Sequence, residues 1–352
     1  MHGGDIYTND VDIDLSVNLN PYALLKFDGS MIRDAVNEAA TSACYYPDIT
    51  QKVVRGAIAE SENISPECIW AGNGASELIQ AVTLLVKPEC ALIIEPSFSG
   101  YAHALSAVGV NMIKRHMLNE ADDFLLTDAV LSDMTNDIDI MFLCDPNNPT
   151  GRNIDEDLLI RMLDKAKSRG ITVVIDESFL ALSDKYLRLV SDDEWKDRAS
   201  RLTKEYDNVY LIRSYTKSFA LPGIRMGYVL SAADNIRKLR NHLPEWNLGT
   251  VSEHVMRTCA KLSGDGEFYK GSVSFIQIER KILSDALREK GLVVCESNTL
   301  FLLVKGPDDL YDRLLKEKIL IRKCDDYPGL GRGWYRIAVK SRKENEMLLE
   351  AL

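Results

Sequence analysis

Short apolar segments alternate with amphipathic segments through the middle of the chain, and this alternation restricts the possible folds more than any other feature. Each apolar segment has the length of a strand, and the segments between them have the periodicity or the caps of helices. The predicted elements are strands at 91–94, 111–116, 138–144 and 171–176, and helices after Pro96, from Phe124 and over 155–169. Such alternation predicts an α/β fold in which helices cover both faces of a mainly parallel sheet.

Polar or aromatic residues follow three of the predicted strands, at the edge of the sheet where ligands of α/β folds bind. Asn148 lies in Pro-Asn-Asn-Pro-Thr-Gly (146–151), where the prolines fix the backbone and so direct the amide. Asp176 ends a run of apolar residues, and its carboxylate is expected deep at the sheet edge. Phe98 offers a flat aromatic ring, although a core aromatic is the simpler interpretation. Ordinary turn chemistry is the alternative for the other two.

The segment 214–228 places Lys217 in a tight loop beside a predicted strand, with Ser214 and Arg225 on either side. Partial burial makes a lysine lose some of its preference for the charged form, and the neutral amine is the nucleophile that forms a Schiff base. An ordinary surface lysine is the alternative, and this segment alone does not decide between them.

A glycine-bearing turn at 72–74 precedes a predicted helix. The backbone N–H groups of Gly74, Ala75 and Ser76 would lie at the positive end of the helix dipole, where an anion binds readily. Because Gly-x-Gly turns are common, a plain connection between a loop and a helix explains the same residues.

The length of 352 residues is sufficient for about two domains. Residues 1–30 show little periodicity and are interpreted as an N-terminal arm that packs on the small domain. Residues 31–240 are predicted to form the large domain. Residues 241–352 have longer helices and a few strands, predicted at 299–304, 319–323 and 334–339, and are interpreted as a smaller α+β domain.

The composition argues against several classes of function. A net charge of −11 is unfavourable for a nucleic-acid partner. The seven cysteines are scattered and the five histidines form no close pair, so neither a disulfide framework nor a metal site is predicted. The N-terminus lacks a signal pattern, and no apolar segment approaches the roughly 20 residues that span a bilayer. We therefore expect a cytoplasmic protein without a membrane partner.

Several of these residues together supply the groups that a bound pyridoxal 5′-phosphate needs. Lys217 can form the Schiff base, Asp176 can keep the pyridine nitrogen protonated, and Asn148 can donate to the phenolic oxygen. The phosphate can be bound by the N–H groups near Gly74 and by Ser214 and Arg225. Thr216 is included in the same predicted cofactor site.

The segments 146–151, 174–177 and 214–228, in this order, resemble those of fold type I pyridoxal-phosphate enzymes of the class I/II aminotransferase family. The resemblance extends over nearly the whole chain. It implies a large domain with a mainly parallel sheet, a smaller α+β domain, and a homodimer with shared active sites. It also implies that Tyr46 reaches the cofactor phosphate of the other subunit and that Phe98 stacks on the cofactor ring. Arg336 would bind the substrate α-carboxylate, although an arginine on the surface of an edge strand is the alternative.

Two branches of the family are compatible with these motifs, the histidinol-phosphate aminotransferases and the L-threonine-O-3-phosphate decarboxylases of cobalamin synthesis. The segments 2–4, 15–21, 71–74 and 319–330 resemble the decarboxylases. Phe179 fits them too, because the aminotransferases usually have a tyrosine there. A phosphorylated amino acid or amine is thus the expected substrate, and the candidates to bind it besides Arg336 are His2, Asn20, Arg322 and Lys323. Both reactions begin alike at Lys217, so these residues alone do not distinguish decarboxylation from transamination.

Overall fold

The computed structural model describes residues 3–25, 29–264 and 266–352. The strands in these ranges are β1 (Ile13–Asp14), β2 (Ile69–Gly72), β3 (Cys90–Glu95), β4 (Met112–Met117), β5 (Ile140–Cys144), β6 (Thr172–Asp176), β7 (Val209–Ser214), β8 (Gly227–Leu230), β9 (Val293–Val294), β10 (Phe301–Lys305), β11 (Ile319–Leu320), β12 (Arg322–Lys323) and β13 (Trp334–Ala338).

The helices of the same ranges lie mostly between these strands. They are α1 (Pro21–Leu25), α2 (Ser30–Ser42), α3 (Lys52–Glu62), α4 (Ala75–Val86), α5 (Gly100–Ala107), α6 (Val130–Asp133), α7 (Glu156–Arg169), α8 (Asp184–Ser191), α9 (Trp195–Glu205), α10 (Tyr215–Ser218), α11 (Ala233–Arg240), α12 (Thr250–Ser263), α13 (Glu267–Glu289), α14 (Leu310–Lys316) and α15 (Arg342–Ala351).

The large sheet has the strand order β2-β8-β7-β6-β5-β3-β4. Its strands β3 to β7 are mutually parallel, and only the pairs that include β8 are antiparallel. Strands β5, β6 and β7 are buried along almost their whole length, as expected where helices cover both faces. The predicted α/β fold with a mainly parallel sheet is confirmed. Because β5, β6 and β7 are neighbours, the segments that follow them meet at one edge.

The second sheet has the order β12-β13-β10-β9 and is antiparallel. Strand β1 of the N-terminal segment pairs in parallel with β11, so part of the predicted arm contacts this region. The apolar side chains of β1, β10, β13 and α13 share one buried cluster. The division of the chain at residues 30 and 240 stays a prediction.

Two predicted elements differ from the structure. The single strand expected over 319–323 is two short strands that pair with different partners, β11 with β1 and β12 with β13. The helix expected from Phe124 does not begin there, because Phe124 has a positive φ of 53°; the helix that follows, α6, is only four residues long. Among the described residues, no helix is long and apolar enough to cross a membrane.

Candidate active site

A cavity of about 450 Å³ lies at the carboxyl edge of the large sheet, facing the second sheet. The structure brings most of the predicted site residues to its wall. These are Gly74, Ala75, Ser76, Phe98, Asn148, Asp176, Ser214, Thr216, Lys217, Arg225, Arg322 and Arg336. Their positions follow from the topology, since the loops after β5, β6 and β7 open into the same space.

Lys217 lies in α10, the single helical turn that follows β7. Burial lowers the pKa of its amine to about 8, and the positive charges of Arg336 and Arg225 act in the same direction. Asp176 opposes this shift but does not outweigh it. About a tenth of the side chain is therefore a neutral amine at pH 7, far more than for an ordinary lysine, and the neutral amine is the form that makes a Schiff base.

Asp176 ends β6 and is buried at the base of the cavity. Its Oδ1 accepts a hydrogen bond from the backbone N–H of Ser178 at 3.0 Å, and its Oδ2 accepts one from the Tyr101 hydroxyl at 2.9 Å. Burial raises the pKa of the carboxyl group above its usual value, while these two donors partly counteract the shift. Sequence reasoning missed Tyr101, although it stands three residues after Phe98 in the same loop and helix.

Replacing Asp176 by asparagine is expected to stabilise the cofactor-free protein. A carboxyl group with a raised pKa in the folded state favours folding less as the pH rises above the usual value for aspartate. The variant should thus unfold at higher urea concentration at neutral pH, by on the order of 1 kcal/mol, and the difference should shrink in acid. Urea titrations at several pH values test this. A variant that is equally stable or less stable at neutral pH would contradict it.

Arg336, in β13 of the second sheet, connects that sheet with the loop after β5. Its Nη1 donates to Oδ1 of Asn148 at 2.5 Å, and its Nη2 donates to the carbonyl oxygen of Ser16 at 2.6 Å. Arg336 is only 6% exposed, and β13 lies between β12 and β10, so the alternative of an edge-strand surface arginine is wrong. Because Asn148 uses its oxygen for this bond, its amide N–H groups are left as donors.

The turn before α4 forms a cradle for an anion. Gly74 has a φ of 83°, and a Cβ atom there would lie 2.8 Å from Nη2 of Arg225. Gly227 lies equally close on the other side, since its Cβ would be 2.7 Å from the backbone N of Ala75. Glycine at both positions lets Arg225 and the first residues of a twelve-residue helix approach one another closely at the wall of the same cavity. Such a set of donors fits a phosphate group.

The two predicted hydroxyl groups near this cradle have partners within the protein. The hydroxyls of Ser214 and Thr216 both donate to the carbonyl oxygen of Met226, at 2.9 and 3.1 Å. Either hydroxyl would have to turn away from Met226 before it could donate to a phosphate.

Asn20 does not lie in the cavity, and its prediction as a substrate ligand is wrong. Its amide donates to the carbonyl of Ser218 at 2.8 Å and to Oγ of Ser272 at 2.9 Å, and the side chain is fully buried. Asn20 thus anchors the N-terminal segment behind α10. Asn18 lines the cavity instead, and its buried Oδ1 has no hydrogen-bond partner within the described residues.

The remaining predicted residues differ in their placement. Arg322 lines the cavity, binds both oxygens of Asp326 at 2.8 and 2.9 Å, and lies 5.2 Å from the ring centre of Tyr327. Lys323 lies outside the cavity, with its ammonium 4.9 Å from the ring centre of Tyr311. Tyr46 is 83% exposed and also lies outside it. His2 falls outside the described residues.

A partly neutral lysine, a buried carboxylate, a directed amide and an anion cradle around one cavity define a site of the fold type I pyridoxal-phosphate class. The chain belongs to the aminotransferase class I and II family, whose sequence model matches residues 10–352. Pyridoxal 5′-phosphate is its cofactor.

Relatives carry the names of both expected branches. The threonine-phosphate decarboxylase of Salmonella typhimurium is 31% identical over 100% of this chain and 95% of its own. The histidinol-phosphate aminotransferase of Clostridium acetobutylicum is 28% identical, with a TM-score of 0.84 over 97% of this chain and 98% of that one. A histidinol-phosphate aminotransferase from Sinorhizobium meliloti, solved with pyridoxal 5′-phosphate, shares the fold at 19% identity, with a TM-score of 0.81 over 97% of this chain and 90% of that one.

The positions of the side chains show how this chain can hold the cofactor. The carboxylate of Asp176 can hold a proton on a ring nitrogen at the base of the cavity, and the cradle of Gly74 and Arg225 can bind a phosphate. When bound, pyridoxal 5′-phosphate supplies an electron sink for a bond on the substrate carbon next to the amine. The neutral amine of Lys217 can take up or return the proton on that carbon.

Proposed function

We propose that the protein decarboxylates L-threonine O-3-phosphate and releases 1-amino-2-propanol O-2-phosphate. The observation that carries this proposal is the pair of arginines on β12 and β13. Arg322 and Arg336 are direct cross-strand partners, and both line the cavity that the cofactor residues also line. Two arginines on adjacent strands suit a small substrate with two anionic groups, here a carboxylate and a phosphate, and Arg322 would exchange its pair with Asp326 for one of them.

Phe179 supports the same proposal. It lies in the cavity wall after Asp176, and its ring packs edge-on against Phe301 at 5.2 Å. A phenylalanine has no hydroxyl to donate to the phenolic oxygen of the cofactor, so Asn148 is left as the main candidate for that bond. The similarity to a relative named threonine-phosphate decarboxylase over the full length of the chain agrees with this assignment.

The proposed reaction needs one bond to break and one to form at the same carbon. The two arginines would bind the carboxylate and the phosphate and so orient the bond to the carboxylate carbon, for which the cofactor would supply the electron sink; carbon dioxide would leave without the bonding electrons. The ammonium form of Lys217 would then give its proton to that carbon, which leaves Lys217 as the neutral amine and yields the amine product. A torsional preference of about 3 kcal/mol for this geometry corresponds to roughly a hundredfold in rate.

We expect the purified protein with its cofactor to release one carbon dioxide for each L-threonine O-3-phosphate consumed, with 1-amino-2-propanol phosphate as the product. Captured carbon dioxide and mass spectrometry of the product measure this. Histidinol phosphate with 2-oxoglutarate is the matched alternative pair of substrates. Keto-acid or glutamate formation without carbon dioxide would overturn the decarboxylase proposal and establish the aminotransferase.

An aminotransferase of the histidinol-phosphate type is the second candidate function. It is supported by the solved structure from Clostridium acetobutylicum, which matches almost the whole chain. Lys217, Asp176 and Asn148 would serve that reaction equally well. The difference between the two functions thus rests on the arginine pair and Phe179.

We also propose that the protein acts as a homodimer in which Tyr46 approaches the cofactor phosphate of the other subunit. Tyr46 packs against Trp246 with the ring centres 5.0 Å apart, and both rings remain exposed. Other large apolar side chains that are exposed on the same segments are Tyr45, Ile49, Val53 and Val251. Surfaces of this kind usually mark an interface.

A further inference from the structure

Tyr101 lies directly behind the cavity and contacts the carboxylate that would hold the cofactor ring. It is 1% exposed, does not line the cavity, and donates its hydroxyl to Oδ2 of Asp176 at 2.9 Å. We propose that Tyr101 is a positioning residue that keeps Asp176 ionised and correctly oriented, and so controls how tightly the protonated ring nitrogen of the cofactor is held.

The aromatic contacts of Tyr101 fix the direction of this hydrogen bond. Its ring stacks on Phe142 of β5 at 5.2 Å with an angle of 13° between the planes. The edge of Phe98 meets the same ring at 5.6 Å and 87°. Because these rings leave Tyr101 little freedom to turn, its hydroxyl stays directed at Asp176. The same side chain also supports Phe98, whose ring lies in the cavity wall.

The hydrogen bond from Tyr101 stabilises the ionised form of Asp176 against surroundings that favour the neutral form. Burial favours the neutral carboxylic acid, and Glu177 adds a negative charge nearby, whereas the cofactor nitrogen needs a carboxylate. Ser178 supplies a donor to one oxygen and Tyr101 a donor to the other, and both favour the ionised form. The groups that face Asp176 from other elements are Lys217 of α10 and the thiol of Cys144 on β5.

Tyr101→Phe removes the hydroxyl and keeps the ring, and Tyr206→Phe is its matched control. Tyr206 is equally buried and also donates to a carboxylate at 2.9 Å, that of Asp164, and neither residue lines the cavity. The probe is pyridoxamine 5′-phosphate, which has the same ring nitrogen but does not form a Schiff base with Lys217. The affinity for this probe should decrease in acid, where Asp176 takes up a proton. We expect Tyr101→Phe to raise the pH midpoint of this decrease by about one unit, so that the affinity below the new midpoint falls about tenfold. Tyr206→Phe should not move it.

A double-mutant cycle separates this role from simple packing. In the Asp176→Asn background, Tyr101→Phe should cause no further loss of affinity, whereas a purely structural tyrosine would cause the same loss in both backgrounds. If Tyr101→Phe does not fold, 3-fluorotyrosine placed at position 101 keeps the contacts and donates more strongly, and it should move the midpoint downward. An unchanged midpoint in the variants that fold, or equal losses in both backgrounds, would overturn the proposal. Because binding is measured without substrate, the outcome is independent of whether the reaction is decarboxylation.

Discussion

Replacing Lys217 by alanine is expected to abolish the absorbance near the visible edge that comes from the Schiff base between this lysine and the cofactor, and to reduce turnover by at least about 10⁴-fold. The structure gives the physical reason, because burial and two neighbouring arginines lower the pKa of this amine to about 8. In the native protein, the rate at which the amine reacts with the cofactor aldehyde should rise as the pH increases through about 8, since only the neutral form reacts. Stopped-flow absorbance measures that rate.

Lys340 provides the matched control for this experiment. It is also buried, and burial also lowers the pKa of its amine, but it lies outside the cavity. Lys340→Ala should keep the cofactor band and its pH dependence even if the protein becomes less stable. Persistence of the band in Lys217→Ala, or its loss in Lys340→Ala alone, would show that the Schiff base forms elsewhere.

The residues of the site that could be predicted from the sequence are those fixed by topology. Alternating strands and helices predict a parallel sheet, and parallel neighbours place their carboxyl ends together. This reasoning is sufficient to bring Asn148, Asp176 and Lys217 to one edge without knowledge of any contact. Only the type of each residue and its position after a strand are needed.

The site residues that were predicted wrongly or missed are those whose side chains could point in either of two directions. Arg322 and Lys323 were both candidates for the substrate phosphate, but consecutive residues of a strand face opposite sides, so only Arg322 enters the cavity. Asn20 fails for a similar reason, because Asn18 and Asn20 are both buried in an irregular segment with no periodicity to show which of them lines the cavity. Tyr101 was missed since its bond to Asp176 depends on how α5 packs against the sheet.

A chain of buried ion pairs lies behind the site and connects the strands that carry it. Glu177 follows Asp176 directly, and its two carboxylate oxygens bind the guanidinium groups of Arg198 and Arg213. Arg213 also pairs with Glu62, and Arg198 pairs with Glu156, which in turn pairs with Lys185 and through it with Asp145. The chain thus joins the end of β6 with β7 and with the residue that follows β5.

Glu177→Gln is therefore expected to destabilise the protein by about 3–5 kcal/mol, because it removes the buried counter-charge that Arg198 and Arg213 share and leaves each of them with one carboxylate. Burial alone would raise the pKa of Glu177, but Arg198 and Arg213 outweigh it and hold the pKa below its usual value. The stabilisation is consequently present above the usual pKa of glutamate and is lost as the pH falls through the lowered one. Urea unfolding at neutral and acidic pH measures both effects.

Asp128→Asn, which breaks the exposed pair with Arg161, is the control and should cost less than about 1 kcal/mol. Equal costs for the two variants would mean that the buried chain does not hold the strands of the site together.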